Sequence, residues 1–277
     1  SSSSSRTSKR QKKDGTTMVE HAGQWLFEEG MTYWHGSNFK KKDMKRGRLM
    51  IEAAASSGFP MALAFCRYLG WIGMVQDFKN AFEFFVKIEQ ETNGYHWAQN
   101  LLGACWRNGH GTDQDYTKAI EWDTKSSEQE NSLAMCSLGV RNEKGQGCAR
   151  NLTKAIEWYE KSAQLGYSQA MYCLGNCYKC GRGVTKDLNQ ARDWYTKAVG
   201  QGHEAAQKLL DELTEMQNSS EDDSDFEIPF LSSPDSSDDS SSDEDSSDED
   251  SSSEESRYFR QPFDRVQRFV RFSRFSE

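Results

Sequence analysis

The sequence predicts an all-α protein, a right-handed α/α superhelical solenoid of about five repeats with a C-terminal capping helix and disordered N- and C-terminal arms. Three observations carry this reading. Residue types recur every 36 positions: Ala98, Ala134, Ala170 and Ala206; Gly103, Gly139 and Gly175; Gly109, Gly145 and Gly181; Gly111, Gly147 and Gly183; Trp122, Trp158 and Trp194. Within each unit the small and apolar residues fall on two helical stripes joined by a glycine-containing loop. After residue 218 the composition turns abruptly acidic and serine-rich.

The chain opens with "SSSSSRTSKRQKKDGT", residues 1–16, which carries five basic residues against one acid and too little apolar surface to order itself. Its "KRQKK" at 9–13 has the composition of a nuclear signal. The solenoid follows over 17–217, with units at about 22–58, 59–97, 98–133, 134–169 and 170–205 and a cap over 204–217. In the first unit Gly30, Tyr33, Gly36 and Gly58 match Gly175, Tyr178, Gly181 and Gly202 of the fifth. The second keeps Ala62, Gly73 and Ala81, which implies a loop two residues shorter and a second helix ending two residues later. Arg67 stands where Gly103 does, and Trp25 where Ala98 does, so these two units are the degenerate ones.

The fifth unit shows the pattern most fully. Ala170, Leu174, Cys177, Tyr178 and Gly181 make one helical stripe, Asp187 is placed to cap a second helix, and Ala191, Trp194, Tyr195 and Ala198 form its stripe. Gly202 and Gly166 are the expected left-handed stops of the second helices, with Asn131 the nearest candidate in the third unit. Recurrent Ala and Gly let helices approach closely, and the recurrent Trp is expected to fill the space between. A single pair cannot bury its stripe alone, so the units must stack. In the cap, "AAQKLLDELTEMQ" places Ala205, Leu209, Leu213 and Met216 near one face.

Leu174-Gly175, Tyr178, Gly181-Arg182-Gly183-Val184, Asp187, Ala191, the "DWYTKAV" of 193–199 and Gly202 together resemble the Sel-1-like repeat, an α/α relative of the tetratricopeptide repeat. The resemblance implies a protein that holds other proteins together. Such proteins include adaptors in endoplasmic-reticulum quality control and chitin synthase activation, and secreted bacterial proteins with a disulfide in every repeat. A bridge within a repeat needs a cysteine in each helix, yet 115–130, 151–165 and 187–201 contain none. The seven cysteines (66, 105, 136, 148, 173, 177 and 180) therefore predict a reducing compartment, cytosol or nucleus. The sequence begins at Ser1 rather than Met, which points to a start upstream and leaves room for a targeting signal. No apolar run reaches the ~18 residues of a membrane span.

Three cysteines in "YCLGNCYKCGRG", Cys173, Cys177 and Cys180, have a spacing similar to the cluster loop of radical-SAM enzymes. On a helix, however, i, i+4 and i+7 spread over about 10 Å of axis, so free thiols are expected instead. The five histidines lack zinc spacing, and each Gly-x-Gly follows a helix rather than a strand, as a turn does. No catalytic, cofactor or metal residues are assigned, and the reading is non-enzymatic. Lining the groove of such a solenoid would be the first helices, where Asn100, Arg107, Tyr172, Asn176 and Lys179 offer a polar, aromatic and cationic strip suited to an extended acidic or polar peptide.

Residues 219–256 hold 16 Asp or Glu, 16 Ser and no Lys or Arg, and are expected to be disordered over 218–256. Ser220, Ser236, Ser240 and Ser246 each precede an acid by three residues, a pattern similar to acidophilic casein kinase II substrates. The basic aromatic tail, 257–277, alternates Phe263, Phe269, Phe272 and Phe275 with Arg265, Arg268, Arg271 and Arg274, which fits an anionic membrane, nucleic acid or the acidic tract itself. The leading expectation is an interaction scaffold. Two alternatives are a histone- or nucleic-acid-associated factor using the tract and basic arms, and an iron–sulfur enzyme using Cys173, Cys177 and Cys180.

Overall fold

A computed structural model describes residues 21–37, 40–92 and 94–221, with side chains of the last helix described to Glu215. Apart from an isolated bridge between Ser37 and Lys40, its regular structure is helical. The helices are α1 (21–35), α2 (Met44–Ser56), α3 (Pro60–Leu69), α4 (Phe78–Thr92), α5 (His96–Asn108), α6 (Tyr116–Ser127), α7 (Ser132–Lys144), α8 (Leu152–Gln164), α9 (Ser168–Cys180), α10 (Leu188–Gly200) and α11 (Glu204–Glu221). The first ten form five pairs, and α11 closes the last with Ala205, Ala206 and Leu213 buried, as a cap requires.

The same local chemistry builds each pair. Asp43, Asp115, Asn151 and Asp187 cap the second helices by accepting backbone N–H bonds, and Asp77 accepts one from Asn80 at 2.9 Å. First helices end at Gly70, Gly109, Gly145 and Gly181, all left-handed with φ between 68° and 71°. The second glycine of each Gly-x-Gly has a different task. A Cβ on Gly111, Gly147 or Gly183 would lie 2.4 Å from the Phe78 carbonyl oxygen, 2.6 Å from the Tyr116 carbonyl carbon or 2.7 Å from Leu152 Cβ. Each of those is the first residue of the preceding unit's second helix, so Gly-x-Gly is a joint between neighbours.

Within a pair the decisive contact comes eight residues after the cap. A Cβ on Gly139 would lie 2.5 Å from the Tyr159 ring, and one on Gly175 2.3 Å from the Tyr195 ring. Tyr159 and Tyr195 are fully buried. Serine hydroxyls then tie the end of a second helix to the start of its partner: Ser126 donates to the His96 carbonyl at 2.8 Å and Ser162 to that of Ser132 at 2.7 Å.

Three expectations are corrected here. Trp122, Trp158 and Trp194 do not fill the core; they are half-buried on the outer side, each beneath a lysine three residues on, with Lys125, Lys161 and Lys197 at 4.2, 4.6 and 4.0 Å from the ring centres. The following residue points inward instead, because the helix must present that position to the glycine. In the second unit the loop is not two residues shorter, because the first helix already ends at Gly70, three residues before Gly73. Helix α3 is thus three residues shorter than α5, its loop one longer than in the third unit, α4 three longer than α6 and the turn after it one shorter, which restores the 36-residue frame by Ala98. Asn131 is not a helix stop but the N-cap of α7, accepting from Leu133 and Ala134. The left-handed residue there is Glu130 (φ 58°), in register with Gly58, Gly94, Gly166 and Gly202.

Contacts also reach beyond adjacent units. Phe27 on α1 meets Phe59 and Phe65 of the second unit and Trp97 of the third, with ring centres 5.8, 6.0 and 6.4 Å apart. His35 stacks on Trp97 at 6.1 Å and meets Tyr167, the N-cap of α9, edge-on at 6.2 Å. The Lys42 N–H donates to the Gln201 carbonyl at 3.4 Å, and Lys41 lies against Gly202. The first unit is therefore anchored to the third and the fifth.

A side chain in the left-handed region costs roughly 1 kcal/mol that glycine avoids. Glu130→Gly is expected to stabilise the protein by about 1 kcal/mol, read as a higher urea midpoint with an unchanged m-value.

Candidate functional site

The first-helix strip predicted to bind a partner does not form an open polar face. Asn100, Tyr172 and Asn176 are buried, while Arg107 and Lys179 stay partly exposed. Each buried member is engaged inside the fold. Asn176 accepts a 2.6 Å hydrogen bond from the Tyr195 hydroxyl, Tyr172 stacks on His203 with ring centres 4.6 Å apart, and buried Asn100 helps hold the Asp123 carboxyl down. For Asn176 the physical reason is the tyrosine of the second helix: once its ring crosses the first helix at Gly175, its hydroxyl needs an acceptor on that helix, and Asn176 supplies it. Glu143, in the frame position of Arg107 and Lys179, does the same for Tyr159 at 2.6 Å and also meets Arg182 at 3.1 Å. Lys179 pairs with Glu212 of the capping helix at 3.5 Å.

One pair departs from the repeat. Asp123 occupies the position of Tyr159 and Tyr195, and Arg141 that of Cys105 and Cys177. Both are 1 % exposed, and the Arg141 guanidinium donates to Asp123 Oδ2 through Nη2 at 2.7 Å and Nε at 3.3 Å. This charge pair therefore joins the third unit to the fourth. Burial pushes the Asp123 carboxyl upward, while Arg141, Arg107 and the Asn100 amide pull it back. Sequence reading missed the pair because each residue alone resembles a surface charge; the frame positions, both otherwise apolar or aromatic, were the available signal.

The cysteines lie where a helix puts them. Cys173, Cys177 and Cys180 all belong to α9, the first two buried and the third exposed. The neighbouring Cys136 thiol, together with burial, pushes the Cys173 thiol well up. Burial raises Cys66 to about 12 and raises Cys105 and Cys177 as well, so these thiols stay protonated and weakly nucleophilic. Among the described residues no three His, Cys, Asp or Glu side chains are grouped to hold a metal ion. Ser220 falls in the last turn of α11, whereas Ser236, Ser240, Ser246 and the 257–277 tail lie outside the described residues.

Five segments, 29–59, 61–88, 98–131, 132–167 and 168–203, match the family model "Sel1 repeat". The chain belongs to the Sel1 repeat family. A Sel1 repeat protein from Oxalobacter formigenes is similar at 26 % identity with a TM-score of 0.50, over 59 % of this chain and 68 % of its own. Helicobacter pylori cysteine rich protein B (hcpB) is similar at 26 % identity over 50 % of this chain and 98 % of its own, with a TM-score of 0.39. The antigen c5321 of uropathogenic Escherichia coli, described as displaying an SLR fold, is similar at 26 % identity over 76 % and 52 %, with a TM-score of 0.38. Among curated proteins no match reaches significance.

In this Sel1 repeat protein the core makes two checkable demands. Breaking a buried ion pair by removing one partner costs about 3–5 kcal/mol, since the survivor keeps an uncompensated charge. Asp123→Ala and Arg141→Met should each lose stability on that scale in urea denaturation. The double variant D123Y/R141C, which restores the residue types of neighbouring repeats, should be more stable than either single variant.

His35 supplies the second. Burial, reinforced by nearby Lys42, holds its imidazole down at about 3, against 6.5 in the unfolded chain. Between those values the unfolded state binds more protons than the folded one, so His35 favours folding above pH 6.5 and that advantage is lost as pH falls. From pH 7.5 to 5.0 the wild type should lose about 2 kcal/mol more than His35→Phe, read from denaturation curves at both pH values.

Proposed function

We propose that this Sel1 repeat protein is a non-enzymatic scaffold that binds other proteins, in the reducing cytosol or nucleus. One observation carries the reading: chemically alike side chains recur on the outside at 36-residue steps, as the half-buried Trp122–Lys125, Trp158–Lys161 and Trp194–Lys197 pairs do. Repetition of this kind offers an extended partner equivalent footholds along its length. Catalysis asks for something different, namely unlike groups converging on one point. With Asn100, Tyr172 and Asn176 committed to the interior, the contribution of the first helices falls to Arg107 and Lys179, both able to bond an acidic or polar peptide. The acidic tract adds a regulatory element, with Ser220, Ser236, Ser240 and Ser246 as substrates of an acidophilic kinase.

Full-length protein used as bait, with bound proteins identified by mass spectrometry, tests the scaffold reading. A defined set of proteins is expected on the wild type and reduced on W158A/W194A. A wild-type bait that retains nothing beyond a blank resin would refute it. The same spectra read phosphate on the four serines.

A further inference from the structure

The first repeat carries a concentration of charge of which the packing uses only part: Lys40 pairs with Glu29 and Arg48 with Glu52, whereas Lys41 and Lys45 stand exposed. Residues 40–48, "KKKDMKRGR", hold six cations and one acid, a net +5 in nine residues, within a 17–218 segment whose formal sum is −1. The remainder of that segment therefore sums to −6, and this is the basic pole of the repeat body. Lys41, Lys45, Arg46 and Arg48 are exposed, with Lys40 and Lys42 partly so.

The backbone under these side chains is fixed. Gly36 donates to the Thr32 carbonyl at 2.8 Å, Asp43 to that of Tyr33 at 2.8 Å, and Lys42 reaches across to Gln201. Their placement also runs against the stability of the helix that carries them. The first turn of α2 contains no acid, and Lys45 and Arg46 stand at its positive end, where a cation is unfavourable. Arg46 offsets this by lying over the Tyr33 ring, but for exposed Lys45 the broken local rule is a sign that the residue serves something outside the fold.

The occupant follows from what surrounds the charges. Nucleic acid would want an exposed ring for stacking, but Tyr33 already lies under Lys40 and Arg46, at 5.1 and 4.3 Å, and Trp71 lies under Arg48 at 4.9 Å. Leu49 and Met44, 67 % and 37 % exposed, stand among the cations, and no Trp or Phe in 40–48 offers the aromatic anchor of a membrane-surface helix. Carboxylates for the cations with scattered apolar side chains for Leu49 and Met44 describe an acidic polypeptide. We infer that the Lys40–Arg48 surface of the first repeat is a docking site for an acidic, partly apolar segment of a partner protein. The inference rests on the scaffold reading and gives it a partner chemistry.

The test uses full-length protein and a fluorescein-labelled 20-residue peptide of Glu with interspersed Leu, followed by anisotropy. Wild type is expected to bind, and raising salt from 50 to 200 mM should weaken binding about tenfold. Charge reversal in K41E/K45E should weaken it at least about tenfold at low salt. Glu at position 45 suits a helix start, so this variant should keep the wild-type circular dichroism and melting temperature. As a control, K154E/K208E, a charge reversal at exposed lysines outside this surface and outside the first-helix and Trp–Lys positions, should bind the peptide like wild type. Equal binding by K41E/K45E, absent binding by wild type, or tighter binding of wild type to (dT)20 or phosphatidylserine vesicles would overturn the inference. Proteins captured equally by wild type and K41E/K45E would overturn this site while leaving the scaffold reading intact.

Discussion

In the last three repeats of this protein the paired helices meet where one of them has no side chain. The Tyr159 and Tyr195 rings occupy the volume that a Cβ on Gly139 or Gly175 would need, so the approach of the helices is set by a missing methyl rather than by an added contact. Much else follows from that choice. A phenol brought so far inside must place its hydroxyl, which draws Glu143 and Asn176 inward and takes them from any partner-facing role. The tryptophan one residue earlier must then turn outward, where its ring is covered by the lysine of the next turn. Interior, hydrogen-bond network and outer surface are consequences of a single steric decision repeated along the chain.

The third repeat breaks the pattern and shows what it tolerates. With Asp123 in place of tyrosine the glycine opposite, Gly103, is retained, and the carboxylate sits where a Cβ would be only 2.5 Å away. An acid at that depth needs a cation, and Arg141 from the following repeat supplies it. The interface gains orientation in exchange for hydrophobic burial: an ion pair with two hydrogen bonds defines one register between neighbours, which apolar side chains define less sharply.

How much of this the sequence revealed depends on whether the interaction was local. Helix pairs, caps and Gly-x-Gly turns of the last three units were legible because each is written in residues close along the chain and repeated at constant spacing. Asp187 could be read as a cap, and Gly166 and Gly202 as left-handed residues after second helices. The errors had non-local or compensating causes. The loop of the second unit was misjudged because three residues lost from its first helix were regained in the elements before Ala98. Asn131, a good left-handed residue in isolation, was needed as an N-cap, leaving Glu130 to bend. The proposed groove failed because the burial of Asn100, Tyr172 and Asn176 depends on partners from other helices, which periodicity within one helix does not report. The paired charge of Asp123 and Arg141 was hidden in the same way.

Modular repeat proteins can usually be lengthened by copying a unit, since each unit knows only its neighbours. Here His35 is seated against both Trp97 and Tyr167, and Lys42 against Gln201. A sixth copy inserted between the third and fifth units would carry Tyr167 and Gln201 away from the residues waiting for them, leaving an uncovered imidazole and an orphaned loop. The count of five is thus enforced by geometry, and the array behaves as a single closed sentence rather than an extendable list. Its folding should carry the long-range contact burden of a globular domain, not the short-range one of a linear stack.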